Sequence, residues 1–280
     1  MRKLQFVQVL FCLLFYSSAS FSQSFGIFPR GSTFEVEGKK LIVVIDDTEE
    51  DNKELIQVMP EVLKSEWTLT PFEVITVTDF EKNKTNYTKN PNNIFLGFNN
   101  YKVHKTVGAG IAGKLVTDRD FIMGYKIKDN GKVARGGNVV YLMSYPAELT
   151  TKAGLVRDIN TIKGFILAAK SKTNLHVPAK SIMEKTLYIN REHIGDHTDD
   201  DIKKFYPYKF KIVDKDEYSQ AILDKKPDVV FFEYTRGDAM PDIFVLSMNE
   251  PYILWHETAK GVNKYVHYNF RMLANKLKKE

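Results

Sequence analysis

The sequence predicts an α/β protein (in the α+β sense) of two tandem related domains, each a mixed β-sheet with helices in the order β-α-β-α-β-β-β-α. Three observations predict it. Short apolar runs rich in β-branched residues recur between polar turns. Segments with apolar residues at helical spacing separate some of these runs and close each half. Finally, residues of the first half recur in the second at one offset of 138: Trp67 with Phe205, Phe72 with Phe210, Val74 with Ile212, Asp79 with Glu217 and Phe80 with Tyr218.

In the first half, "KLIVVIDD" reads as a buried strand. The helix after it carries Leu55, Ile56, Met59, Val62 and Leu63 on one face, and Thr48 with Asp51 fits a capping box at its start. "PFEVITV" and "NNIFLGF" are strands around a short helical turn, "TDFEKN". "FIMGYKI" and "NVVYLMSY" form a hairpin about the glycine-rich "KDNGKVARGG". "KAGLVRDINTIKGFILAAKSK" closes the half as a helix with Leu155, Ile159, Ile162, Ile166 and Ala169 in a stripe. The second half repeats the order. "KTLYINRE" is its first strand, Thr198 with Asp201 repeats the capping box, and "DVVFFEY" matches "NNIFLGF". "PDIFVLSMNEPYILWHE" is a tighter hairpin, and the closing helix carries Val262, Val266, Phe270, Leu273 and Leu277. The repeats span 36–173 and 182–280, joined by "TNLHVPAK". A period this long indicates tandem domains rather than a solenoid.

Residues 1–22 have the layout of a secretory signal: two cations in "MRK", the 13-residue apolar run Leu4 to Tyr16, then small residues with Ser20 and Ser22 at the −3 and −1 positions. The run is shorter than the roughly 18 apolar residues a membrane span needs, so no integral span is expected after cleavage. The expected location is the periplasm or the extracellular space. Cys12, the single cysteine, leaves with the signal, which excludes disulfides, thiol chemistry and cysteine-based zinc sites from the mature chain. The charge of +5 includes Arg2 and Lys3, and no basic run interleaves with aromatics, so nucleic acid is not an expected partner.

Four segments invite chemical readings. "VGAGIAG" fits G-x-G-x-x-G through Gly108, Gly110 and Gly113, with Lys114 following. A dinucleotide fingerprint needs a strand directly before it and a helix directly after. Here "NNYKVHKT" is a poor strand and "KLVTDRD" leads toward another strand. The second half has only "TRGDAMP" at the matching place, so 99–120 reads as an inserted connection between strands. "LIVVIDDTEEDNKELI" resembles the start of a response-regulator receiver domain, with Asp46 and Asp47 as paired acids and Glu233 at the phosphoacceptor position of the second half. The match breaks down because Gly97-Phe98-Asn99 puts no acid at the end of the first half's third strand. "REHIGDHTDDD" is the most metal-like segment: His193 and His197 lie four apart, with Asp196 and Asp199 beside them. On a helix that spacing would bring two imidazoles together. Gly195 and the helix start at Thr198 argue instead for a solvated acidic cap. "YILWHET" places His256 beside Trp255, which reads as a packed edge residue. No cofactor is expected. Asn83 and Asn86 begin glycosylation sequons, which matter only in a eukaryotic secretory pathway.

The element order, with "EWTLTPFEVITVTDFEKN" ahead of "NNIFLGF", resembles the small α/β modules of bacterial envelope proteins, such as the N-terminal domain of the Tol-system translocation protein and the curli-secretion-like lipoproteins. It is also similar to a group of exported bacterial proteins with the same Phe/Trp-strand-"DF"-strand pattern. The resemblance implies an envelope location and a role in protein contact, and it carries over no functional residue. A lipidated member would have a cysteine after its signal, which this chain lacks. The functional expectation is a non-enzymatic exported protein that binds another envelope protein or itself. The rival expectation is a metal-dependent hydrolase using His193, His197, Asp196 and Asp199.

Overall fold

The computed structural model describes residues 35–106, 113–124, 126–128, 132, 139–146, 151–171, 178–194, 197–234, 242–258 and 266–279. The expected signal peptide, Gly108, Gly110, Asp196 and Val262 lie outside these residues.

In the first half, β1 (Lys40–Ile45), β2 (Phe72–Thr76), β3 (Asn93–Thr106), β4 (Gly113–Gly124) and β5 (Val139–Pro146) form one sheet in the order β2-β1-β3-β4-β5. The first three strands are parallel, and β4 and β5 add antiparallel to them. Its helices are α1 (Lys53–Glu66), α2 (Val77–Lys82), α3 (Lys84–Lys89) and α4 (Lys152–Ser171). In the second half, β6 (Thr186–Asn190), β7 (Phe210–Val213), β8 (Val229–Tyr234), β9 (Asp242–Leu246) and β10 (Ile253–Thr258) pair as β7-β6-β8-β9-β10, the same topology. Its helices are α5 (Lys180–Met183), α6 (Arg191–Ile194), α7 (Asp199–Lys203), α8 (Lys215–Leu223) and α9 (Val266–Leu277).

The repeat extends to register. Leu41 pairs with Phe72 and Ile94, and Leu187 pairs with Phe210 and Val230. Caps repeat too. Thr76 accepts from the Asp79 amide at the start of α2, and Asp214 accepts from the Glu217 amide at the start of α8, both positions related by the offset of 138. Such caps satisfy amides that the first helical turn leaves unbonded.

The two capping boxes expected from sequence fare differently. Thr198 and Asp201 bond reciprocally at the start of α7. Thr48 instead directs its amide and hydroxyl to Asp46 Oδ1, at 3.0 and 2.6 Å, and α1 begins later, at Lys53, after a 3-10 turn over Glu50–Asn52. An aspartate two residues upstream outcompetes the helix for a threonine, because Asx turns bond locally.

Alternate residues of each strand serve opposite faces. In the first sheet Leu41, Val43, Ile45, Ile94 and Leu96 pack with α1 and α4, while Ile42, Val44 and Phe95 pack with Phe80 of α2. In the second sheet Leu187, Ile189, Val230 and Phe232 pack with Phe270 and Leu273 of α9. Its other face, with Tyr188, Phe231, Phe244 and Leu246, shares one core with the first sheet. Helix α4 lies in that shared layer. The sequence predicts a one-sided apolar stripe for it, yet residues 153–166 are all buried. The stripe faces its own sheet, and the opposite side meets the second sheet.

That second contact is close. A Cβ on Gly164 would sit 2.9 Å from Ile253 Cγ1 and 3.2 Å from Tyr252 Cβ. Overpacking a filled core costs about 1–3 kcal/mol. Gly164→Leu is therefore expected to lower the free energy of unfolding by at least that range, measured by urea denaturation.

Candidate functional site

Polar residues of α4 enter the shared layer and meet acids and hydroxyls from the other half. Arg157 is 8% exposed. Its Nε donates to Asp158 Oδ1 at 2.9 Å, and its Nη1 donates to Glu233 Oε1 of β8 at 2.8 Å. The Tyr218 hydroxyl, from α8, lies 2.9 Å from the same Glu233 oxygen and 3.1 Å from the Phe232 carbonyl. His193 of α6 reaches the other side of the carboxylate, with Nε2 3.9 Å from Glu233 Oε2, and its ring stands edge-on to Tyr218. Glu233 sits near the carboxyl end of a parallel strand, where open α/β sheets usually place their ligands. Here that place receives Arg157 of the first half.

The electrostatics follow from this packing. Burial opposes ionisation of Glu233, but Arg157 beside it, with His193 and the Tyr218 hydroxyl, outweighs burial and holds its carboxyl below the usual range. Burial and the neighbouring Glu233 push the Tyr218 phenol well above its ordinary value. At neutral pH the centre is an ionised carboxylate held by a guanidinium and a protonated phenol.

A second polar cluster lies further along α4. Glu66, 5% exposed at the end of α1, accepts from Asn160 Nδ2 at 3.0 Å and Lys225 Nζ at 2.9 Å. Burial raises its carboxyl, and the bonds from Lys225 and Asn160 more than offset that. Lys163 Nζ donates to the Glu66 carbonyl at 2.6 Å and to the Tyr252 hydroxyl at 2.9 Å. Burial lowers its pKa. Lys225 adopts φ of 50°, in the left-handed region that costs a non-glycine residue roughly 1–2 kcal/mol. That conformation accompanies its bond to Glu66 and a bond from Asn249 Nδ2 to its own carbonyl.

These groups form a polar seam between the halves. Charges are matched across it, and the arrangement suits holding two sheets in register more than activating a substrate. Sequence reasoning singled out His193 and Glu233 separately and for other roles. It missed Arg157, Asp158, Lys163, Tyr218 and Glu66. The available signal was the set of Arg157, Asp158 and Lys163 inside an otherwise apolar helix, which a one-sided stripe does not explain.

Of the four residues expected as a metal set, Asp196 lies outside the described residues, and the other three have the following partners. His193 turns inward to Glu233. His197 contributes backbone bonds, its amide to Ile194 and its carbonyl from Arg191 Nη1. Asp199 is exposed, 4.0 Å from Arg191. No group of three or more metal-ligating side chains occurs among the described residues. Asp46 and Asp47 also have protein partners. Asp47 is exposed; slight desolvation raises its carboxyl, but the bonds from Thr78, whose amide donates at 3.2 Å, outweigh it and hold the carboxyl low. His256 stacks on Phe244 with centroids 4.6 Å apart, as a packed residue.

The connection at 99–120 is the main correction to the sequence reading. It is not a loop over its described length. β3 and β4 stay paired from Asn99 with Asp120 to Thr106 with Gly113. The last β1–β3 pair is at Gly97, and β5 pairs with β4 no further than Asp118. Residues 101–106 and 113–117 thus form a two-stranded ribbon beyond both flanking strands.

Family models, curated proteins and solved structures yield no match to this chain.

Two substitutions test the seam. Removing one partner of a buried ion pair typically costs about 3–5 kcal/mol. Arg157→Met strands both Asp158 and Glu233 and is expected in that range, while Glu233→Gln costs less because its amide keeps hydrogen-bonding capacity. The folded-state carboxyls of Glu233 and Glu66 titrate below their ordinary range. Their stabilisation is therefore complete above that range and is lost as pH falls through the lowered folded values. Denaturation midpoints across an acid pH series should show a shallower acid slope in Glu233→Gln than in the parent.

Proposed function

We propose that the chain is an exported, non-enzymatic envelope protein that binds another protein through the β3–β4 ribbon. The observation that carries this reading is the pair of open backbone edges on the ribbon. From Asn99 to Thr106, at about 3.4 Å per residue, β3 extends roughly 24 Å. Over most of that length neither strand has a second neighbour among the described residues. Unpaired strand edges template addition of a partner strand, with main-chain bonds supplying affinity. The seam supports the non-enzymatic part, since its charged groups are engaged with one another. Export rests on the signal-like layout of residues 1–22 and on the element-order resemblance to envelope modules. Among the described residues no helix is long and apolar enough to cross a membrane.

Two experiments test the proposal. Replacing 100–117 with a copy of the seven residues 235–241, which link β8 to β9, should leave thermal unfolding nearly unchanged. A two-stranded ribbon with no third strand beside it among the described residues is marginally stable on its own, so its removal takes little from the sheet. The same variant should lose the proteins captured by crosslinked pull-down from the native envelope. Retention of the same captured proteins would sink the reading. For export, the intact mass of protein recovered from the producing cell should correspond to cleavage near Ser22, with Gln23 or Ser24 first. A full-length chain in the cytosol would refute it.

A further inference from the structure

Each sheet ends in two edge strands, and they differ in one respect. β2 carries Glu73, ion-paired with Lys40 at 2.7 Å. β7 carries Lys211, paired with Glu217. β10 carries Glu257. Charge on an edge is the common protection against pairing with another chain. The fourth edge, β5, reads "VVYLMSYP" and has no charged residue. It is the terminal strand of its sheet, so its outer row of amides and carbonyls has no strand partner among the described residues.

We infer that two copies of this chain pair antiparallel through β5, joining their first sheets into one ten-stranded sheet. Register supports a second copy as the occupant. β5 pairs with β4 without a break from Tyr141 to Pro146, after a shift between Met123 and Gly124. The usable edge therefore lies between the irregularity near Val140 and the proline, which lacks an amide donor. A two-fold axis at Met143 sets Leu142 opposite Ser144 and Tyr141 opposite Tyr145. No like charges meet and no proline interrupts the pairing. The same operation on the β3 edge of the ribbon, centred on Val103, sets Lys102 opposite His104 and Tyr101 opposite Lys105, so pairing with a second copy there brings basic residues together, whereas a strand of other charge would not. Ten strands lie within the range of natural open sheets. The pairing is isologous and closes on itself, so it yields a dimer and no filament. It goes beyond the ribbon reading and does not rest on it, because it leaves the ribbon edges free.

Light scattering after size exclusion measures the outcome. The purified parent chain should have twice the monomer mass, falling to the monomer on dilution. Hydrogen exchange should show amides of 139–146 protected in the dimer and exchanging in the diluted monomer. Neighbouring residues of a strand turn their amides to opposite sides. Of Leu142→Pro and Met143→Pro, one therefore removes an outward donor and should give a folded monomer, while the other damages pairing with β4. The ribbon replacement should remain dimeric. A parent that is monomeric at every concentration overturns the inference. So does a dimer that persists in both proline variants, or one whose 139–146 amides exchange as fast as in the monomer. If both variants unfold, the exchange measurement on the parent decides.

Discussion

The pairing of Arg157 with Glu233 is the constraint around which the two halves are arranged. A guanidinium on a helix of the first half and a carboxylate on a strand of the second are both buried, and neither could stay there alone. Burying an unpaired charge costs several kcal/mol even after relaxation. Together with Asp158, Tyr218 and His193 they form a centre with few tolerated geometries. The apolar contacts of α4 supply most of the burial. The charges restrict how α4 can rotate or slide against the second sheet, since a displacement would strand Glu233. Glu66, Asn160, Lys163 and Lys225 repeat the device about one turn further along the helix.

The tandem repeat is therefore symmetric in topology and asymmetric in packing. Helix α4 covers its own sheet and also completes the core of the next. Helix α9 covers its own sheet through Phe270, Leu273, Ala274 and Leu277. Its other side presents exposed Arg271 and Asn275. Those residues suit water rather than a further sheet.

The same distinction between covered and open surfaces frames the functional reading. The carboxyl ends of the parallel strands, where α/β proteins often bind ligands, are occupied by the molecule's own side chains at Glu233. Among the described residues, open pairing capacity is found instead on backbone edges, at the ribbon and at β5. The inward charged centre and the outward strand edges are together the basis of the proposed contact with other chains.

The sequence alone determined the fold class, the order of elements and the equivalence of the halves. These depend on local periodicity, turn chemistry and caps, all written within a few residues of where they act. Phe72 and Phe210 could be matched by spacing because each takes the same place against its neighbouring strand. The cap at Thr198 was legible for the same reason, whereas Thr48 was misread because Asp46 offered a competing bond just as local. The tertiary structure decided the rest. Arg157 and Glu233 are 76 residues apart, and their partnership arises only when α4 enters the second half's core. His193 showed metal-like spacing in sequence, but its partner is set by the fold around Glu233. The ribbon escaped notice because its sequence lacks the period-two alternation by which strands are read. Long-range charge matching leaves little trace in local sequence, since it requires no repeating pattern.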